Sequence, residues 1–265
     1  MPPNRKNQPA ELGRPLEELI HDPSAEVLAT AAGDPRMTED LALALMERRD
    51  LPGVVLEQLS RNAAVKKSRK VQLALVTHPR TPRFVSLPVL RHLYIFELMD
   101  VALMPAVAAD LKTAADEAIL NRRETISAGE KLTLAKRGSG RLAASLLLDP
   151  EARIIEAALN NPQLTEAQLV KALGMDRSPQ ALAEIVCRHP KWSLRPEVQR
   201  ALLRTPGTPL GRVLVFARGL PTQALHEILR QSRLSENVRN YLRKELETRG
   251  AQGEEGQEQL PVRHS

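Results

Sequence analysis

The sequence predicts an all-α fold, a right-handed α-solenoid of stacked short helical hairpins, internally duplicated with an offset of 127 residues. Three observations carry this expectation: a long-range echo, a rule for where helices break, and a composition almost without aromatics. Residues 22 to 94 align without a gap on residues 149 to 221. Asp22-Pro23, Pro35, Thr38-Glu39, Pro52, Val71-Gln72 and Thr81-Pro82 meet Asp149-Pro150, Pro162, Thr165-Glu166, Pro179, Val198-Gln199 and Thr208-Pro209. Roughly a quarter of the aligned positions are identical, and self-similarity of this length marks repeat architectures. Many other pairs are apolar in both halves, such as Val27 with Ile154 and Leu59 with Val186. The apolar phase continues through Leu98 with Leu225, Leu111 with Val238 and Ile119 with Leu246.

The 265 residues are 42% hydrophobic but only 2% aromatic, so Leu, Ala, Val and Ile must fill the core. Leu and Ala are strong helix formers, and strand-favouring aromatics are scarce. Apolar residues recur at helical spacing in short bursts: Leu41, Leu45 and Met46; Val55, Leu56 and Leu59; Leu169, Ala172 and Leu173; Leu182, Ile185 and Val186. Each burst predicts a helix of about 9 to 12 residues.

Helices are expected to stop at Asp34-Pro35, His78-Pro79, Asp149-Pro150, Asn161-Pro162, His189-Pro190 and Thr205-Pro206, because the residue before proline is pushed out of the helical region. Thr38, Thr81, Thr165 and Thr208 then sit where a hydroxyl would cap the next helix. Thr165 with Gln168 fits a capping box, and Pro82, Pro179 and Pro209 fit the first helical position. Lys136-Arg137-Gly138-Ser139-Gly140-Arg141 lacks the spacing of a phosphate-binding loop and reads as a turn, with Ser139 capping the second helix.

The expected organisation is a disordered segment 1–13, a helical repeat domain 14–248 and a disordered tail 249–265. Within the domain lie copy one (22–120), joining helices (121–148) and copy two (149–247), forming one continuous solenoid. The tail reads Arg-Gly-Ala-Gln-Gly-Glu-Glu-Gly-Gln-Glu-Gln and has almost nothing to bury.

Ala157-Ala-Leu-Asn-Asn-Pro-Gln-Leu-Thr-Glu-Ala-Gln-Leu, echoed in Leu73-Ala-Leu-Val-Thr-His-Pro-Arg-Thr-Pro and in Leu202-Leu-Arg-Thr-Pro-Gly-Thr-Pro, resembles the leucine-rich repeat variant, a HEAT-like α-solenoid family of bacteria. A group of bacterial proteins sharing the Gly129-Glu-Lys-Leu and Ser139-Gly-Arg-Leu stretches is also similar. The resemblance implies alternating helical layers and no enzymatic activity. Some members carry a cysteine-rich iron–sulfur segment; Cys187 is the only cysteine here, so the chain departs from that pattern.

A lone cysteine also rules out an intramolecular disulfide and a cysteine-based zinc site, and fits a reducing compartment. The absence of a long apolar run leads us to expect a cytoplasmic location without membrane insertion. The six histidines form no His-x-x-x-His pair, so neither a metal nor a cofactor is expected. His78 and His189 read as helix-terminal residues, where a partly protonated imidazole would favour the carbonyl end. No Gly-x-Ser-x-Gly, Ser-x-x-Lys or paired-carboxylate arrangement points to catalysis.

The net charge of +6 is uneven: Lys and Arg against Asp and Glu give −1 for copy one and +4 each for the joining stretch and copy two. In Lys66-Lys67-Ser68-Arg69-Lys70, four cations open a helix, where the dipole disfavours them by about 0.3 kcal/mol or more per charge. An anionic partner would account for them. The matching stretch of copy two carries Lys191, Arg195, Arg200 and Arg204, with Arg188 just before. The alternative is a solvated helix face. Trp192, among these cations, is a candidate contact aromatic, or else a ring packed between hairpins. The expected function is a non-enzymatic scaffold that binds another protein, an acidic one being a candidate, through a concave repeat surface. The alternative is a nucleic-acid-binding HEAT-like protein using the basic residues of the middle and C-terminal repeats.

Overall fold

A computed structural model describes residues 14–230 and 234–258, with side chains through Gly250. Among the described residues there are seventeen helices and no strand. The segment 1–13 lies outside them. The chain divides into two compact units between Thr125 and Ile126.

The first unit contains α1 (Leu16–Leu19), α2 (Ala25–Gly33), α3 (Glu39–Met46), α4 (Gly53–Arg61), α5 (Arg69–Thr77), α6 (Arg83–Leu90), α7 (Ile95–Leu103) and α8 (Ala109–Leu120). Alternate helices stack: α2 lies on α4 and α6 on α8, while α3 lies on α5 and α5 on α7. Their apolar faces close an aliphatic core around Leu28, Leu45, Leu56, Leu59, Val71 and Leu75, all at most 1% exposed. Burying one such leucine contributes about 1.5–3 kcal/mol, which is why helices of about nine residues persist here though they would be marginal alone.

The second unit contains α9 (Ala128–Arg137), α10 (Gly140–Leu146), α11 (Ala152–Leu159), α12 (Glu166–Leu173), α13 (Gln180–Arg188), α14 (Pro196–Arg204), α15 (Leu210–Gly219), α16 (Thr222–Leu229) and α17 (Glu236–Glu258). Here α9 packs on α11 and α11 on α13, and α10 on α12, α12 on α14 and α14 on α16. The helices α9 and α10, within the stretch 121–148, pack in this unit on α11 and α12. Lys131 pairs with the buried Asp149 at 3.0 Å, and a Cβ on Gly140 would lie 2.3 Å from the Gln163 carbonyl oxygen, a contact only glycine permits.

The proline rule places several helix ends: Asp34, His78, His189 and Thr205 are the C-terminal caps of α2, α5, α13 and α14. Thr38, Ser139 and Thr165 accept amide hydrogens as N-caps, the last in a full capping box with Gln168. Thr81 and Thr208 do not cap. Pro82 and Pro209 themselves are the N-caps of α6 and α15, one position before the expected one, as Pro179 is for α13. The Thr208 hydroxyl instead donates back to the Leu202 carbonyl at 2.6 Å.

A recurring device joins successive hairpins. The last carbonyls of a helix have no partner within it, and a polar side chain from 23 to 33 residues downstream supplies one. Asn62 donates to Ala32 and Asp34, His78 Nε2 to Arg48, and Arg122 to Leu93 and Arg91. In the second unit Asn161 donates to Ala135 and Gly138, Trp192 to Leu159, and Thr205 to Leu173. Arg249 reaches Ala217, Arg218 and Leu220. The helix α17 runs from Glu236 through Glu258, into the expected tail, and Arg249 ties it to the end of α15. Residues 259–265 lie outside the described residues.

Candidate functional site

The basic residues singled out by the sequence divide between the units, and most already have partners. In the first unit the Lys70 ammonium sits 2.8 Å from Glu39. Hydrogen bonds from Lys70 and Ser68 hold the Glu39 carboxyl below its ordinary range. Arg69 pairs with Glu97, donates to the His92 carbonyl and lies 3.6 Å from the centre of the Tyr94 ring. Lys66 and Lys67, just before the Ser68 cap, are exposed and form no ion pair among the described residues. Two of the four cations are thus bound to structure and two are free.

In the second unit Arg188 faces Glu184 at 3.8 Å and Arg200 faces Glu197 at 2.8 Å, both along their own helices. Arg195, the residue before Pro196, is exposed. Lys191 lies over the Trp192 ring at 4.1 Å. Trp192 itself is 2% exposed and donates its indole N–H to Leu159, so it is a packing residue and not a contact aromatic. The flat ring reaches back between hairpins, and its one polar atom finds a carbonyl there, which is what a buried indole requires.

The environment of His189 disfavours the protonated imidazole rather than favouring it. Its Nδ1 accepts from the Lys191 and Trp192 amides, and burial followed by the nearby Lys191 charge lowers its pKa from 6.5. His78 makes the same kind of turn, with Nδ1 accepting from Arg80 and Nε2 donating to Arg48. Both rings therefore serve as caps. Burial pushes the Cys187 thiol up to about 11, so it is inert at neutral pH. Among the described residues no three His, Cys, Asp or Glu side chains could together hold a metal ion, and no helix is long and apolar enough to cross a membrane.

Arg204 leads to a cavity of about 820 Å³ between the ends of α12 and α14, walled by Val170, Leu173 and Met175 and bordered by Arg204 and Arg230. The Arg204 Nε is buried without a hydrogen-bond partner. Both guanidinium groups lie beside the carbonyl ends of helices, where a cation is favoured without any ligand.

The surface feature that sequence reasoning did not single out is aromatic. Phe84, Tyr94 and Phe96 are the only aromatic residues of the first unit, and they are 63%, 67% and 42% exposed. Phe84 and Leu87 lie three residues apart on the solvent face of α6, and Val54, the second residue of α4, is 47% exposed. Gly53 lets the start of α4 approach the start of α6, since a Cβ there would lie 3.2 Å from Pro82 Cγ. The available signal was the placement of three scarce rings within thirteen residues, outside the apolar phase that fills the core. The chain matches no protein-family model, no curated protein and no solved structure.

Proposed function

We propose that the chain is an internally duplicated α-solenoid of the HEAT-like kind that acts as a non-enzymatic scaffold and binds another protein through its repeat surface. The observation that carries this reading is the exposure of Phe84 and Leu87 on one face of α6, with Val54 also exposed near the start of α4, in a chain with so few aromatics to spend. Aromatic anchors ringed by polar side chains dominate the energetics of protein contacts.

Duplication supports the scaffold reading. Shifted by 127, the bounds of α3, α4 and α5 coincide with those of α12, α13 and α14. Side-chain bonds recur at the same shift. Gln72 donates to the Lys66 carbonyl at 2.8 Å and Gln199 to the Ser193 carbonyl at 2.8 Å. Arg122 donates to Leu93 at 2.7 Å and Arg249 to Leu220 at 2.7 Å. The buried polar side chains Asn62, His78, Asn161 and Thr205 are engaged by backbone groups, which is work for a scaffold rather than for catalysis.

The test is quantitative co-purification from the source cells with wild type and a Phe84→Ser/Leu87→Ser double variant, folding being verified by circular dichroism. The reading expects at least one protein recovered with wild type and depleted with the variant. Equal recovery of every associated protein would count against it.

A further inference from the structure

The ring of Tyr94 is held on one face and open on the other. The Arg69 guanidinium lies 3.6 Å from its centre, and that guanidinium is itself fixed by Glu97 and the His92 carbonyl. The ring is nonetheless 67% exposed. A flat aromatic face presented in this way accepts any nucleobase, because every base has a π-face to stack.

Free cations surround it. Gln72 accepts from Arg69 at 3.4 Å and donates to the Lys66 carbonyl at 2.8 Å, which ties the Lys66–Lys67 turn to the Arg69–Tyr94 pair. On the other side, Arg122 donates to the Arg91 and Leu93 carbonyls, which brings Arg123 at the end of α8 beside the loop that carries Tyr94. Lys66, Lys67, Arg91 and Arg123 are exposed and have no ion pair among the described residues. Of the nearby carboxylates, Glu97 is engaged by Arg69 and the Tyr94 amide. The net charge of −1 over copy one conceals this local excess.

We propose that this edge of the first unit binds single-stranded nucleic acid, with a base stacked on the open face of Tyr94 and phosphates held by Lys66, Lys67, Arg91 and Arg123. An acidic peptide is the lesser fit. The guanidinium best placed to grip a carboxylate, Arg69, is already paired, and the nearest free groups are lysines, point charges suited to phosphate. The loop before the ring offers the polar Arg91 and His92, with Leu93 buried.

The experiment is fluorescence anisotropy of a fluorescein-labelled oligothymidylate of about 20 nucleotides with the full-length chain at several salt concentrations. Saturable binding that weakens with salt is expected. Tyr94→Ala should weaken it about tenfold, while Tyr94→Phe, which keeps the face, stays within about twofold. Lys66→Ala/Lys67→Ala should flatten the log–log salt slope by about 0.7 per lysine. Circular dichroism of each variant separates loss of binding from loss of fold. Absence of saturable binding by wild type would overturn the proposal, as would full affinity in Tyr94→Ala. Poly-glutamate competing as well as the oligonucleotide would also overturn it, since that marks a generic anion surface.

Discussion

Asn160 and Asn161 are neighbours in sequence with opposite structural roles, and substituting each by alanine tests the inter-hairpin bonds directly. Asn161 is 1% exposed. Its amide donates to Ala135 and Gly138, each at 2.9 Å, and its carbonyl oxygen accepts from Gln163 at 2.8 Å. Three bonds at about 1 kcal/mol net apiece predict a loss of about 3 kcal/mol for Asn161→Ala, rising toward about 5 if the freed carbonyls stay dry. Asn160 is exposed and bonds only within its own helix, to Glu156, so Asn160→Ala should cost at most about 0.5 kcal/mol. Trp192 supplies the assay: it is the only tryptophan, is buried in the same unit, and bonds to Leu159 two residues from Asn161. In urea, a slope of about 2 kcal/mol per molar converts 3 kcal/mol into a midpoint shift of about 1.5 M. If Asn161→Ala unfolds at the same midpoint as Asn160→Ala, the account of how hairpins are joined is wrong.

Three further outcomes follow from the same geometry. Arg249→Met removes three carbonyl partners from a side chain that is 21% exposed; it should cost about 2 kcal/mol, and limited proteolysis should then cut within α17 sooner than in wild type. The pKa of His189 is lowered in the folded state, so the unfolded chain takes up the proton first and stability falls as pH drops through 6.5. His189→Asn can keep the turn, as Asn62 and Asn161 do, and its urea midpoint should decline less than that of wild type between neutral pH and pH 5. The Cys187 thiol, pushed up to about 11 by burial, should resist iodoacetamide at neutral pH in the native protein and react within minutes in urea; equal rates in both states would mean that α13 is not packed as described.

Helix positions were legible because their causes are local. The prolines after Asp34, His78, His189 and Thr205, together with the hydroxyls of Thr38, Ser139 and Thr165, act within four residues, and the sequence shows them. Thr81 and Thr208 looked equivalent to Thr38, but proline follows each of them at once and takes the cap position itself. The start of the tail is polar in composition, and the group that ties it to the fold is Arg249, whose partners lie about thirty residues upstream. The echo of Arg122 in Arg249 was present in the sequence, one turn beyond where the apolar phase fades. The basic clusters were over-read for the opposite reason: charge counts do not reveal that Glu39, Glu97, Glu184 and Glu197 already face four of those cations. Trp192 was ambiguous because an indole among lysines can point either way, and only the position of the Leu159 carbonyl decides it.

The central claim, that the first unit presents a protein-docking surface on α6, is tested most directly by site-specific photocrosslinking in the source cells. A benzophenone amino acid replaces Phe84 in one variant and the exposed Thr113 of α8 in another. The account predicts a discrete crosslinked adduct at position 84, containing a second protein identified by mass spectrometry, and none at position 113. No adduct at 84, or the same adducts at both positions, would contradict it.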